Sequence, residues 1–254
     1  MAIDLKKMKQ KLTALNNKGG GKTQFWSPKE GQNYSIRILP DAGGDPFREY
    51  WFHYNVSKSG VLCPKKNFGE DCPICNFAAK LYKEKTEEST KMAKTFNPRQ
   101  RFFSAIVVRG EEKEGVKVWG YGKNAYQDLL NLVTNDEYGD ITDTNTGTDL
   151  KVLASKAAGQ QFAVTKLTPA RSSSKLCKDP QECQDLLESY PVFEELHKRV
   201  TFAEAQAVLD AYINSDATDE DAEAQSTETT KYGTSTKSKA SDPVESAFEE
   251  LMDL

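Results

Sequence analysis

Four residues constrain this chain more than any others: His53, Cys63, Cys72 and Cys75, spaced His-x9-Cys-x8-Cys-x2-Cys. One imidazole and three thiolates complete the tetrahedron of a closed, structural zinc site, so the spacing predicts one structural Zn2+. In Cys72-Pro73-Ile74-Cys75 a tight turn lets both sulfurs face one ion, and Pro73 stiffens it. Gly60, Pro64 and Gly69 supply turns between the ligands. His53 falls in the aromatic run Tyr50-Trp51-Phe52-His53-Tyr54, so an ion would tie a polar excursion, residues 53–96, back onto a strand. Other uses of Cys-x-x-Cys fit less well. A thioredoxin-like motif needs a βαβ setting that the flanking sequence lacks. A zinc deaminase needs His-x-Glu and Pro-Cys-x-x-Cys, whereas Tyr54-Asn55 follows His53 and the proline lies inside the cysteine pair. Cys177 and Cys183 have no second pair in register and read as ordinary thiols; His197, in a charged helix, receives no role.

Charge divides the 254 residues unevenly. Residues 1–125 carry 23 Lys and Arg against 13 Asp and Glu; residues 126–215 carry 8 against 14; residues 216–254 carry 3 against 11. The net charge of −4 therefore hides a basic front and an acidic end, the pattern of a polyanion-binding body with an acidic appendage. Charged residues make up 28% and hydrophobic residues 37%, no apolar run is long enough to span a bilayer, and Met1–Lys7 has no signal-like apolar region. These features predict a protein of a reducing, cytosol-like compartment with no membrane partner.

Along the chain, Leu5, Met8, Leu12 and Leu15 recur at helical spacing with Lys6, Lys7, Lys9 and Lys11 on the polar side. This short basic arm, residues 1–20, is marginal alone and gains from a partner surface. Gly19-Gly20-Gly21-Lys22-Thr23 is half a phosphate loop: Asn16 stands where the first glycine belongs and no strand precedes it, so it reads as a linker. Alternation of period two then marks strands around Tyr34–Ile38, Tyr50–Val56, Phe102–Arg109, Val116–Lys123 and Gln161–Leu167. Helical patterns cover Phe77–Met92, Ala125–Val133 and Tyr190–Ile213. The expectation is an α+β, mainly β fold over residues 21–213: a compact barrel with helical additions. Residues 214–243 hold scarcely an apolar side chain and predict disorder. Apolar residues return at the acidic end, where Phe248, Leu251 and Met252 would dock in a partner's groove.

Two strands carry a nucleic-acid signal. In Arg101–Arg109, alternation gives Phe102, Ser104, Ile106 and Val108 to the core and Arg101, Phe103, Ala105, Val107 and Arg109 to a half-exposed basic face. In Lys117–Lys123, the cations Lys117 and Lys123 flank Trp119 and Tyr121 on one face, with Val118, Gly120 and Gly122 opposite. Flat rings stack on unpaired bases and flanking cations meet phosphates, so the stripe predicts a surface for single-stranded nucleic acid, with Arg99 adding charge upstream.

In this order of features (basic arm, one His then Cys and Cys-Pro-x-Cys, Ala-Ile-Val-Val-Arg, Lys-Val-Trp-Gly-Tyr, acidic tail) the chain resembles the single-stranded DNA-binding, helix-destabilising proteins of T-even-type bacteriophages. The resemblance covers most of the chain. It implies an OB-type barrel with a small zinc-binding subdomain, His53, Cys63, Cys72 and Cys75 as ligands, and a basic groove for single-stranded DNA without sequence preference. It also implies cooperative self-association through the N-terminal arm, and phage replication and recombination proteins recruited by the tail, in the cytoplasm of the infected host cell. Phe102 and Tyr121 fall near aromatics that line the family's groove, whereas alternation favours Phe103. This chain departs from the pattern in its tighter ligand spacing and its shorter, serine-poor tail. The reading is a non-enzymatic DNA-binding protein of replication, recombination and repair; a zinc-stabilised interaction adaptor and a zinc hydrolase with an open fourth position are the alternatives.

Overall fold

The computed structural model describes residues 24–57, 59–156 and 163–215. The lysine-rich arm with Lys6, Lys7, Lys9 and Lys11, and the tail with Phe248, Leu251 and Met252, lie outside the described residues. The strands are β1 (Gln24–Trp26), β2 (Asn33–Ile38), β3 (Arg48–His53), β4 (Val61–Leu62), β5 (Arg99–Val108), β6 (Lys117–Tyr121), β7 (Leu150–Ser155) and β8 (Val164–Pro169). The helices are α1 (Pro64–Phe68), α2 (Pro73–Glu84), α3 (Glu87–Phe96), α4 (Lys123–Val133), α5 (Pro180–Glu188), α6 (Phe193–Leu196) and α7 (Phe202–Ser215). The described residues divide into two units: those up to Glu49 with Arg101–Leu196, and Tyr50–Gln100 with those from His197 onward.

The first unit is built on strands in the order β1-β6-β5-β2-β7-β8. β1 pairs with β6 in parallel, and the remaining neighbours in that order are antiparallel. The alternation of β2, with Ile36 and Ile38 turned one way, delivers these residues to a core shared with Phe102, Ile106, Trp119, Leu150 and Val152. Arg37, between the two isoleucines, is also fully buried. Its guanidinium donates from Nε to Asp149 Oδ1 at 2.8 Å, and from Nη2 to the Gly147 and Ser174 carbonyls at 2.9 and 2.8 Å. A buried charge persists only when paired and hydrogen-bonded in this way.

The second unit carries the β3–β4 hairpin, Phe52 opposite Leu62 and His53 opposite Val61, with α1, α2, α3 and α7. Its core gathers Ile74, Phe77, Leu81, Ala93, Phe96, Ala205 and Leu209 around Cys63 and Cys72.

Three expectations are corrected. The sheet of this mixed α+β fold is not closed: β1 and β8 stand at opposite ends of the strand order, so the described strands form an open sheet rather than the closed barrel expected. The helix expected over Phe77–Met92 is two helices, α2 and α3. Lys85 breaks it in the left-handed region (φ 58°), and Thr86 opens the next, its hydroxyl accepting from Ser89 N–H at 3.0 Å. Cys177 and Cys183, expected as ordinary thiols, are joined in a disulfide across six residues.

Candidate metal centre and nucleic-acid interface

Local structure brings the four ligands together. β3 presents His53; β4 leads straight into Cys63, which caps the N-terminus of α1 with Pro64 at the first helical position. Gly69 ends α1 at φ 70°, a left-handed conformation that glycine adopts without strain, and turns the chain toward Cys72. Cys72 caps α2, Pro73 follows at its first position, and Cys75 comes in its first turn.

The four ligand atoms lie within 4.8 Å of one another. His53 Nε2 is 3.4 Å from Cys72 Sγ and 3.6 Å from Cys75 Sγ, and Cys63 and Cys75 Sγ are 3.6 Å apart. A tetrahedral ion with metal–sulfur bonds of about 2.3 Å separates its sulfurs by about 3.8 Å and nitrogen from sulfur by about 3.5 Å, so this donor set fits one metal ion. His53 Nδ1 lies 2.7 Å from the Phe96 carbonyl. That oxygen can only accept, which fixes a proton on Nδ1 and makes Nε2 the nitrogen that would bind a metal ion. The four residues could supply a complete tetrahedral ligand set, and His53, Cys63 and Cys72 are buried.

The charges of the cluster call for a cation. Burial opposes protonation of His53, but hydrogen bonds with Cys63 and Cys72 outweigh it and lift the imidazole to about 9. Hydrogen bonds from Cys72 and Cys75 pull the Cys63 thiol down, and Cys63 in turn pushes the Cys75 thiol up. The sulfurs thus cannot all ionise against one another until a metal ion replaces their protons.

Asn67 is a supporting residue that the sequence reading missed. Its Nδ2 donates to the Trp51 and Cys63 carbonyls, each at 2.8 Å, and its Oδ1 accepts from Trp51 N–H at 3.0 Å. One amide therefore fixes α1 against β3 and sets Cys63 relative to His53. No spacing rule marks such a residue, because its partners are backbone groups.

The residues expected at the nucleic-acid surface separate into three groups. Phe102, Trp119 and Tyr121 are core, at 1%, 1% and 2% exposure. Phe102 stacks on Tyr126 with centroids 3.7 Å apart, and Tyr121 OH pairs with Ser104 Oγ at 2.8 Å. Burial first, with Tyr126 and Asp45 nearby, pushes the Tyr121 phenol up, so it stays neutral. Lys117 and Arg109 are engaged internally. Lys117 Nζ, in a nearly buried side chain, meets Glu111 at 2.5 Å and Glu114 at 2.7 Å. Arg109 forks onto Asp149, with Nη2 2.9 Å from Oδ1, and donates to the Lys175 and Leu176 carbonyls.

The third group is the opposite face. Phe103 stands across from Gly120 in the β5–β6 ladder, and a Cβ at Gly120 would come within 2.9 Å of its ring. Gly120 is small because Phe103 lies over it. Phe25 on β1 meets Phe103 edge to face at 6.4 Å and is 56% exposed. Arg101 reaches toward Gly122, while Arg99 and Lys123 are exposed. The strand expectation of a half-exposed Phe103, Ala105 and Val107 is corrected: at 6%, 0% and 0% exposure all three are buried, so this sheet has packing on each side. Phe25 escaped the sequence reading because three residues are too few to show a period.

A Cys3His cluster that could hold one metal ion stands in a mixed α+β fold with an open, mostly antiparallel sheet. A family model described as gp32 DNA binding protein like matches residues 29–254, and the chain belongs to this family. The likeness to T-even-type phage proteins is thereby shown, and membership implies single-stranded DNA binding. A search of curated proteins gave no match. Among the described residues no helix is long and apolar enough to cross a membrane.

Proposed function

We propose that the protein coats single-stranded DNA cooperatively and without sequence preference during phage replication, recombination and repair in the infected host cell. The observation that carries this reading is the family match over residues 29–254. Its working surface is the β1–β6–β5 face, where the exposed Phe25 offers its ring to bases and Arg99 and Arg101 offer charge to phosphates, with exposed Lys123 at the start of α4 as a further cation. On this reading Phe103, at 6% exposure, backs the exposed ring of Phe25, and Phe102 belongs to the core.

The ion held by His53, Cys63, Cys72 and Cys75 is Zn2+, chosen by one imidazole and three thiolates, and it is structural. The open sheet serves as an OB-type platform, residues 53–96 as its zinc subdomain, and no step of catalysis is needed. Residues 1–20, with Lys6, Lys7, Lys9 and Lys11, supply cooperativity by docking on the next protomer, and residues 214–254 recruit replication proteins through Phe248, Leu251 and Met252.

Fluorescence titration with oligo-dT, against a duplex of equal length at two salt concentrations, tests the reading. Preference for the single strand, weakening with salt by about 0.7 log unit per log salt for each phosphate contact, is the expected result. Equal affinity for both would leave an adaptor with a basic face as the better description.

A further inference from the structure

Cys177–Cys183 is the one disulfide among the described residues, and neither the metal centre nor the proposed DNA face uses it. Upstream of Cys177 the chain is clamped. Ser174 N–H donates to the Gly147 carbonyl at 3.0 Å and Leu176 N–H to the Thr144 carbonyl at 2.8 Å. Arg109 donates to the Lys175 and Leu176 carbonyls at 3.0 and 2.5 Å, and Arg37 to the Ser174 hydroxyl at 2.6 Å. Downstream the packing is light: Leu186 is the one buried residue of α5. The disulfide therefore joins a firmly held segment to a helix with little core of its own.

It is also open to solvent. Both cysteines are half-buried and line a cavity of about 540 Å³, with Lys175, Lys178, Asp179, Leu187 and Glu188. Cys183 sits at the end of the first turn of α5, where the Gln181 and Cys183 N–H groups are already bonded to Asp179, so Lys175 and Lys178 are the groups that favour a thiolate. The three carboxylates Asp179, Glu182 and Glu188 outnumber these two lysines.

We propose that Cys177–Cys183 is a thiol–disulfide exchange site for small carboxylate-bearing thiols of the glutathione class, and a redox clasp for α5. In the first step a thiolate forms a bond to one sulfur while the S–S bond breaks, its electron pair leaving on the other cysteine. A second thiolate attacks the mixed disulfide and releases the oxidised dimer of the small thiol. Two electrons pass to the protein, and the protons given up by the two thiols end on Cys177 and Cys183. Lys175 and Lys178 meet the carboxylates of the incoming thiol, and the freed α5 then opens locally while the sheet holds.

The test uses the full-length, metal-loaded protein in glutathione buffers of graded composition, with peptide mapping by mass spectrometry and limited proteolysis. A single glutathione adduct on Cys177 or Cys183 is expected first, then two free thiols, with the metal retained and cleavage within residues 177–192 faster by about ten-fold or more. The double variant Cys177→Ser, Cys183→Ser should show the fast cleavage in oxidising buffer and take up no glutathione. Adducts confined to Cys63, Cys72 and Cys75, no exchange at any thiol concentration that leaves the metal bound, or a double variant cleaved as slowly as the oxidised parent would each overturn the proposal.

Discussion

Phe25 and Trp119 lie on neighbouring strands, and the pairing of Phe25 with Val118 and Trp26 with Trp119 sends them to opposite faces. Trp119 enters the core beside Trp26, whereas Phe25 remains exposed against Phe103. Trp119→Ala should therefore cost about 3–5 kcal/mol of stability, read by denaturant unfolding. Phe25→Ala should leave stability nearly unchanged and remove about 1–3 kcal/mol of oligo-dT affinity, with little change in salt slope because stacking releases few ions. The lysines divide in the same way. Lys123→Ala should lower the salt slope by about 0.7, the share of one phosphate contact. Lys117→Ala should leave the slope alone and destabilise the fold, since Glu111 and Glu114 lose the cation between them. Equal slope changes in both variants would show that Lys117 turns outward on DNA. The sequence made a stripe of Lys117, Trp119, Tyr121 and Lys123 legible as one face of a strand, although the strand ends at Tyr121 and Lys123, exposed, opens α4. It could not say that this face is the inner one, because cation and ring at alternate positions suit both a DNA platform and a core with a buried ion pair.

At the level of elements, the metal centre is a junction of one hairpin and two helix N-termini, held by Asn67 and the Phe96 carbonyl. The second unit also has an apolar core of its own around Phe77, Leu81 and Phe96, so metal loss should loosen rather than abolish it. Cys72→Ser, or chelation of the parent, should release the ion and expose residues 53–96 to protease while the first unit keeps its unfolding midpoint. Asn67→Ala should keep all four ligands and weaken metal affinity by about 10–100-fold, measured by competition with a chromogenic chelator. An unchanged affinity would mean that α1 is set in place by other contacts. The ligands were readable because a metal demands fixed residue types at short spacing. Five of the strands were readable from alternation. β1 and β4 are too short to carry a period, and β7, whose Leu150, Val152 and Ala154 alternate inward, was missed. The break between α2 and α3 was hidden because Lys85 takes a left-handed conformation usually marked by glycine or asparagine. The disulfide was hidden because two cysteines six residues apart look alike whether free or joined.

Across the whole chain, charge is distributed so that the basic front and the acidic end oppose each other, 23 cations against 13 anions in residues 1–125 and 3 against 11 in residues 216–254. A tethered polyanion competes with DNA at an effective concentration near millimolar, and salt screens the competition. Deleting residues 216–254 should thus raise oligo-dT affinity more at low salt than at high salt; a uniform change would separate the tail from the DNA surface. Removing residues 1–18 should leave binding to a one-site oligomer unchanged and weaken clustering on long strands. The central claim is that unpaired bases are taken up on the β1–β6–β5 face. Ultraviolet crosslinking of the metal-loaded protein to oligo-dT, with the adducts mapped by mass spectrometry, tests it most directly. Adducts at Phe25, lost in the Phe25→Ala variant, are the predicted result. Efficient crosslinks that fall elsewhere and survive that variant would contradict it.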